Sequence, residues 1–301
     1  MKVDGKLANA IENGDFILTA EYLPTAGTDS AAIEAAATSL GKSALAVNVA
    51  DNHYGVAMSS LAASVAMLKY GVEPVFQIVT RDRNRIALQS DLLGAAYLGI
   101  KNVLCLSGYH QTLTGSPESA NVFDIDSIQL VAAVRNMRDK GVLLDGTNIE
   151  GDFSMLIGAV ANPYTTPLEL NMIRLNKKID AGADFIQTQA VFEIEAFGQW
   201  LDSAISDDIT EKTAILAGIM PLESAAEAER LRDTYTDLHI PDELIERLKT
   251  AGSKEAQKKE GLAICVETIK KIKDMKGVRG IHILSSGKEA IVPELLAASG
   301  L

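Results

Sequence analysis

The sequence predicts an α/β fold, a closed (β/α)8 barrel formed by residues 1–301 as a single domain. Eight short apolar runs alternate with longer segments whose apolar residues recur every three or four positions. Gly71, Gly99, Gly141 and Gly182 stand where helical segments hand over to the next run, the usual place for a left-handed helix cap. Eight strands with helices between them is the count of a closed barrel. No GxGxxG follows the first run. Pro24-Thr25-Ala26-Gly27 stands there instead, which argues against an open dinucleotide-binding sheet.

In order along the chain, the strands are expected at Phe16–Tyr22, Ala44–Ala50, Pro74–Thr80, Asn102–Ser107, Phe153–Val160, Asp184–Gln189, Ala214–Ile219 and Gly280–Ser285. Asp29–Leu40 and Ser59–Lys69 are typical of the Ala- and Leu-rich helical segments between them. Two connections are long. His110–Asp126 follows strand four with Gly115, Ser116 and Pro117, and Asn162–Leu168 follows strand five with Pro163 and Pro167. Both leave the carboxyl ends of strands, where barrel enzymes place their chemistry. Lys249–Lys259 reads as a solvated helical stretch between strands seven and eight. No linker or low-complexity segment interrupts the pattern.

Composition narrows the function. With 47% hydrophobic and 23% charged residues, the chain has the balance of a soluble globular protein. A net charge of −12 argues against nucleic acid, whose phosphates need a positive footprint. A locally basic pocket for a small anion stays compatible with it. Cys105 and Cys265 are too few for a disulfide framework or a four-cysteine zinc site. Cys105, within the apolar Asn102–Leu106 run, reads as a buried structural thiol. The histidines His53, His110, His239 and His282 lack metal-ligand spacing, so no metal is expected. Met1–Lys6 lacks the apolar core of a leader peptide. No run approaches the ~18 apolar residues of a membrane span, and a cytoplasmic protein with no membrane contact is expected.

A barrel gathers the carboxyl ends of its strands at one mouth. That nominates Glu21, Asn48, Gln77 with Thr80, Ser107 and Tyr109, Asn162, Gln187 or Gln189, and His282. A carboxylate inside Phe16–Leu23 is costly to bury without a partner. Glu21 is therefore either a desolvated general acid or a structural carboxylate paired with arginine at the rim. Gln187 and Gln189 share a face by alternation, and Gln189 either presents its amide to a ligand ring or fills a barrel layer. Arg81-Asp82-Arg83-Asn84-Arg85 is either a rim ion-pair cluster or a phosphate site.

Four segments carry a resemblance: Thr19-Ala20-Glu21-Tyr22-Leu23-Pro24, Ile100–Gly108, Lys177–Gln189 and Gly218-Ile219-Met220-Pro221. In that order and spacing the chain resembles the methylenetetrahydrofolate reductase family along nearly its whole length. Arg81–Arg85 and Gln89–Ala95 look most like a branch found in anaerobes and folate-linked methyl-group metabolism. The resemblance implies a flavin enzyme that reduces 5,10-methylenetetrahydrofolate to 5-methyltetrahydrofolate. The cofactor would be FAD or FMN, and the donor NAD(P)H or another reductant. By position, it implies Glu21 as the catalytic acid and Gln189 and Met220 as substrate contacts. It implies a cofactor site from Asn48, Gln77, Thr80, Ser107, Gly108, Tyr109, Phe123, Asn162, Lys177 and Lys178. Tyr109 stands where the family pattern has an aspartate near flavin and folate, and is also counted catalytic. Ser107 replaces an arginine, and Ala225 stands near where relatives carry a phenylalanine that packs on bound ligand.

Two readings follow. One is an active reductase. The other is a folate- or flavin-binding subunit with altered or lost activity, paired with a methyltransferase or a zinc-containing partner. The sequence leaves the oligomeric state open, a homo-oligomer included. A barrel methyltransferase without flavin would want thiolate zinc ligands that the chain lacks.

Overall fold

The structure is a computed structural model that describes residues 3–235 and 238–301. Met1 and Lys2, which head the polar start noted above, lie outside the described residues. Eight strands close into a barrel in chain order, every neighbouring pair parallel. They are β1 (Ile17–Tyr22), β2 (Ala46–Val49), β3 (Pro74–Val79), β4 (Asn102–Leu106), β5 (Leu156–Ala161), β6 (Phe185–Ala190), β7 (Ala214–Ile219) and β8 (Val278–Ile283). The expected barrel is thus present, with strand ends moved by a few residues. Strand five begins three residues later than expected and strand eight two earlier, while Thr80 and Ser107 lie just beyond their strands.

The surrounding helices are α2 (Ser30–Leu40), α3 (Ser60–Lys69), α4 (Arg85–Tyr97), α5 (Ser127–Lys140), α6 (Leu168–Ala181), α7 (Ile194–Ser206), the short α8 (Ile209–Lys212), α9 (Ala225–Thr234), α10 (Asp242–Thr250), α11 (Lys254–Lys273) and α12 (Ile291–Ser299). Asp29, Ser59 and Asn84 cap α2, α3 and α4 with side-chain oxygens, and Asp126 forms a reciprocal capping box with Gln129 on α5. The junction glycines Gly71, Gly99, Gly141 and Gly182 all take positive φ, from 64° to 118°, as the sequence implied. The Lys249–Lys259 stretch is not one helix. Gly252, at φ 84°, breaks it between α10 and α11.

One element was not anticipated. Helix α1 (Lys6–Asn13) precedes the first strand and plugs the amino end of the barrel. Its Leu7, Ala8 and Ala10 belong to the same buried cluster as Val75, Leu104, Leu156 and Leu216. Gly5 offers no capping side chain, so Glu73 takes that part. Its carboxylate accepts the Lys6 and Leu7 amides at 2.6 and 2.9 Å. A larger apolar layer fills the space between strands and helices. The plug and the layer leave only the carboxyl end of the barrel for a site.

Candidate active site at the barrel mouth

The upper barrel interior holds a polar layer. Asn48 and Gln187 exchange two amide hydrogen bonds at 2.7 and 3.1 Å. Gln187 also donates to Thr19 Oγ1 at 3.2 Å, and that hydroxyl meets His282 Nδ1 at 2.9 Å. Burial pushes His282 down to about 3, so its imidazole is neutral. These groups satisfy one another, as buried polar groups must. Asn48 was expected at the cofactor; the structure places it in this layer, fully buried, with its amide spent on Gln187.

Above the layer opens a cleft of about 280 Å³. Its apolar surface comes from Val79, Leu104, Leu106, Val160 and Leu284. Polar groups ring it: Glu21, Gln77, Ser107, Tyr109, Gln187, Gln189 and Lys178. Gln187 and Gln189 reach the same cleft as alternation requires, but Thr188 lines it too. The pairing of β6 with β7 slips between Gln187 and Ala190, and Thr188 Oγ1 there accepts the Gly218 amide at 2.9 Å. Only glycine fits at 218, because a Cβ would lie 2.4 Å from the Thr188 carbonyl oxygen.

Glu21 is the chemical centre of the cleft. It is 5% exposed and makes no ion pair with an arginine among the described residues, so the rim pair considered above is not formed. Burial raises its carboxyl to about 7, and the negative charge of Glu289 adds to the rise. Hydrogen bonds from Gln77 and the Ser286 backbone oppose it. Around neutral pH, Glu21 therefore holds a proton in a large fraction of molecules, which suits general-acid work.

The arginine run resolves into ion pairs. Arg81 forks onto Asp82 at 2.7 and 2.8 Å, Arg83 holds Asp51 at 2.6 Å and Asp91 at 2.8 Å, and Arg85 holds Asp124 at 2.8 Å. Arg81 is 2% exposed and also donates to the carbonyls of Asn52 and Tyr109. This run clamps the β3–α4 connection, each of its guanidiniums taken by a carboxylate.

Other expected cofactor residues stand elsewhere. Thr80 is buried behind the cleft wall, its carbonyl accepting the Phe123 amide, and Phe123 is 40% exposed at φ 41°. Asn162 turns the β5–α6 loop, accepting the Tyr164 amide on Oδ1 at 3.0 Å and the Asn171 side chain on its carbonyl at 2.8 Å. Lys177 faces outward on α6. Lys178 turns inward, donates to the Val160 carbonyl and is lowered to about 8 by burial and by Arg174. Met220 packs against the buried cluster that includes Leu222, Leu231 and Ile264, off the cleft wall. Gln77, Ser107, Gly108, Tyr109 and Lys178 remain on it.

The sequence missed several neighbours. His53, Tyr54, Tyr109 and Tyr235 form an aromatic group at the mouth, with ring centroids 4.3 to 6.4 Å apart. His53 is lowered to about 4 by burial and Arg81. Tyr109 accepts a hydrogen bond from Gln189 Nε2 at 3.5 Å. Glu289 comes from the loop after β8, and its only sequence signal was a carboxylate a few residues past a strand end. Among the described residues, no group of three or more His, Cys, Asp or Glu could hold a metal, and no helix is long and apolar enough to cross a membrane.

Comparison with known proteins matches this geometry to a family. A model of the methylenetetrahydrofolate reductase family covers residues 6–300. Methylenetetrahydrofolate reductase 2 of Schizosaccharomyces pombe is 27% identical over 98% of this chain and 47% of its own length. A probable methylenetetrahydrofolate reductase (NADPH) of Caenorhabditis elegans is 26% identical over 81% and 34%, and the Escherichia coli 5,10-methylenetetrahydrofolate reductase 24% over 61% and 55%. The chain thus spans about a third to just over half of these relatives. Among solved structures, an uncharacterised Clostridium thermocellum protein, described as binding two copies of 5-methyl-5,6,7,8-tetrahydrofolic acid, superposes with a TM-score of 0.63. It shares 14% identity over 98% of both chains, a likeness of fold. The barrel, its acid-bearing mouth and the match over residues 6–300 together make this chain a member of the methylenetetrahydrofolate reductase family.

Proposed function

We propose that this chain is a cytoplasmic methylenetetrahydrofolate reductase, taking 5,10-methylenetetrahydrofolate to 5-methyltetrahydrofolate at the barrel mouth. The observation that carries the reading is Glu21, a buried carboxyl raised to about 7, in the same cleft as Gln189. The donor set also suits a flavin, FAD or FMN. An apolar slot is edged by Gln77, Ser107 and Gln189, and Lys178 and Arg174 supply positive charge in a chain of net charge −12. When bound, such a group supplies hydride transfer from NAD(P)H or another reductant to the one-carbon unit.

The chain's own residues handle the proton and the orientation. Glu21 delivers its proton to N10 of the folate as the N10–methylene bond breaks, leaving the methylene on N5 as a cationic iminium. Hydride addition to that carbon then completes the methyl group. Gln77 donates to the Glu21 carboxyl and gains strength as a partner when the proton leaves. Gln189, tethered to Tyr109, presents its amide to the edge of the pterin ring. The apolar slot keeps water from the iminium.

A specific observation favours a second reading, a folate-binding subunit with altered reductase activity beside a methyltransferase or zinc-containing partner. The cleft carboxylates are Glu21 and Asp51, and Asp51 is neutralised by Arg83. Asp124 is neutralised by Arg85 off the wall. Tyr109 is a neutral phenol. Apart from Glu21 itself, which becomes an anion only by giving up its proton, no uncompensated anion among these faces a cationic iminium, and charge stabilisation there is worth several kcal/mol.

Anaerobic purification, a flavin spectrum and turnover of methylenetetrahydrofolate with NADH, NADPH and a low-potential dye decide between the two. Turnover that falls at least ~10²-fold in Glu21→Gln supports the reductase. Tight 5-methyltetrahydrofolate binding without turnover from any donor supports the subunit and removes the first reading.

A further inference from the structure

The loop after β8, residues 284–290, lies over the Glu21 carboxyl, and the chemistry above does not use it. Ser285 Oγ donates to the Glu21 carbonyl at 2.8 Å. The Ser286 backbone donates to the Glu21 carboxyl, and Ser286 bends the chain through a left-handed φ of 53°. That bend returns Glu289 to β1, where its Oε1 accepts the Leu23 amide at 3.2 Å. Lys288, the cation of the loop, points away to Glu227 and Glu223 on and before α9. Glu289 therefore makes no ion pair among the described residues, although it is only half-exposed.

The other groups around Glu21 do not compensate this charge. Gln77 from β3, Tyr54 from the β2–α3 loop and Ser286 are neutral. Asn48 stands opposite Glu21 on β2, and His282 on β8 is uncharged. Arg81, Arg174 and Lys178 line the same cleft, but the charge that raises the Glu21 carboxyl, after burial itself, is that of Glu289.

We propose that Glu289 is a positioning residue for Glu21: held at the Leu23 amide by the loop that also bonds the Glu21 backbone, its carboxylate adds a negative charge to the effect of burial in helping the acid keep its proton. This rests on reading Glu21 as the proton donor. Like charge opposes the ionisation of a neighbouring carboxyl. The loop thereby couples strand eight to the proton supply on strand one.

The test is an infrared titration of the Glu21 carboxyl stretch in the whole chain, assigned by its loss in Glu21→Gln. Glu289→Gln keeps an oxygen for the Leu23 amide and removes only the charge. Its Glu21 midpoint should drop by about one pH unit, a roughly tenfold fall in the acid-to-ionised ratio at pH 7. Glu289→Asp should return the midpoint toward the native value. The alkaline limb of the turnover profile should move with the titration in both variants. An unmoved midpoint in Glu289→Gln overturns the proposal. If the native chain shows no turnover, the reductase reading falls alone, because the titration still decides the part played by Glu289.

Discussion

At the scale of single residues, Glu21 ties chemistry to stability. Its native carboxyl titrates at about 7 against an ordinary value of 4.5. Between those values the native state keeps a proton that the unfolded chain has released, so stability falls as pH rises through the window. Burying the charged form costs about 3 kcal/mol above pH 7. Glu21→Gln should leave denaturant stability unchanged near pH 4 and raise it by up to that amount at pH 8, while suppressing turnover. A variant equally stable at both pH values would show that this carboxyl is not desolvated. Gln187→Leu should have the opposite effect on the fold. It strands the Asn48 amide and removes a donor from Thr19, and should cost about 2–4 kcal/mol, read from the urea midpoint. Tyr109→Asp places an anion in the cleft and should speed methylenetetrahydrofolate turnover; an unchanged rate would detach this position from the chemistry.

At the scale of elements, helix α11 gives the sharpest test. Glycine inside a helix normally costs about 1 kcal/mol relative to alanine, so Gly261→Ala would be stabilising on helix propensity alone. Here an added Cβ would sit 1.7 Å from the Leu222 carbonyl oxygen, closer than any real contact. Gly261→Ala should therefore lower the melting temperature, because α11 must move off the loop after β7; a rise would mean that the helix shifts freely. Helix α1 offers a second case. Leu7→Ala in the fully buried plug should cost about 2–5 kcal/mol and leave ligand binding at the opposite end unchanged.

For the whole molecule, the closed sheet couples every strand to two neighbours. Calorimetry should accordingly show one unfolding transition, as a single domain would; two separable transitions would divide the chain. Since the cleft draws residues from β1, β3, β4, β5, β6 and β8, a ligand there should stabilise the entire fold. At a hundred times its dissociation constant, 5-methyltetrahydrofolate should add about 2.7 kcal/mol, seen as a higher melting temperature. No shift would remove folate from the proposed function.

The barrel was legible in the sequence because its signals are local. Apolar runs such as Ala214–Ile219, capped helices and left-handed glycines report on their own few residues. Glu21, Gln77, Gln187 and Gln189 were legible for a related reason: a polar residue at the end of an apolar strand has one mouth to face. Asn48 and Asn162 obeyed the same rule and still fell elsewhere: Gln187, distant in sequence, took the Asn48 amide, and the Asn162 side-chain oxygen turned back to accept the Tyr164 amide of its own loop. Arg81, Arg83 and Arg85 could be read as a phosphate site until Asp51, Asp82, Asp91 and Asp124 were seen beside them. Helix α1 went unseen because its purpose, covering the open end of a barrel, exists only once the barrel has closed. Tertiary structure alone decided that the charge of Glu289 would act on Glu21, a carboxyl 268 positions away. Charge acts through space, and only the folded chain sets those distances.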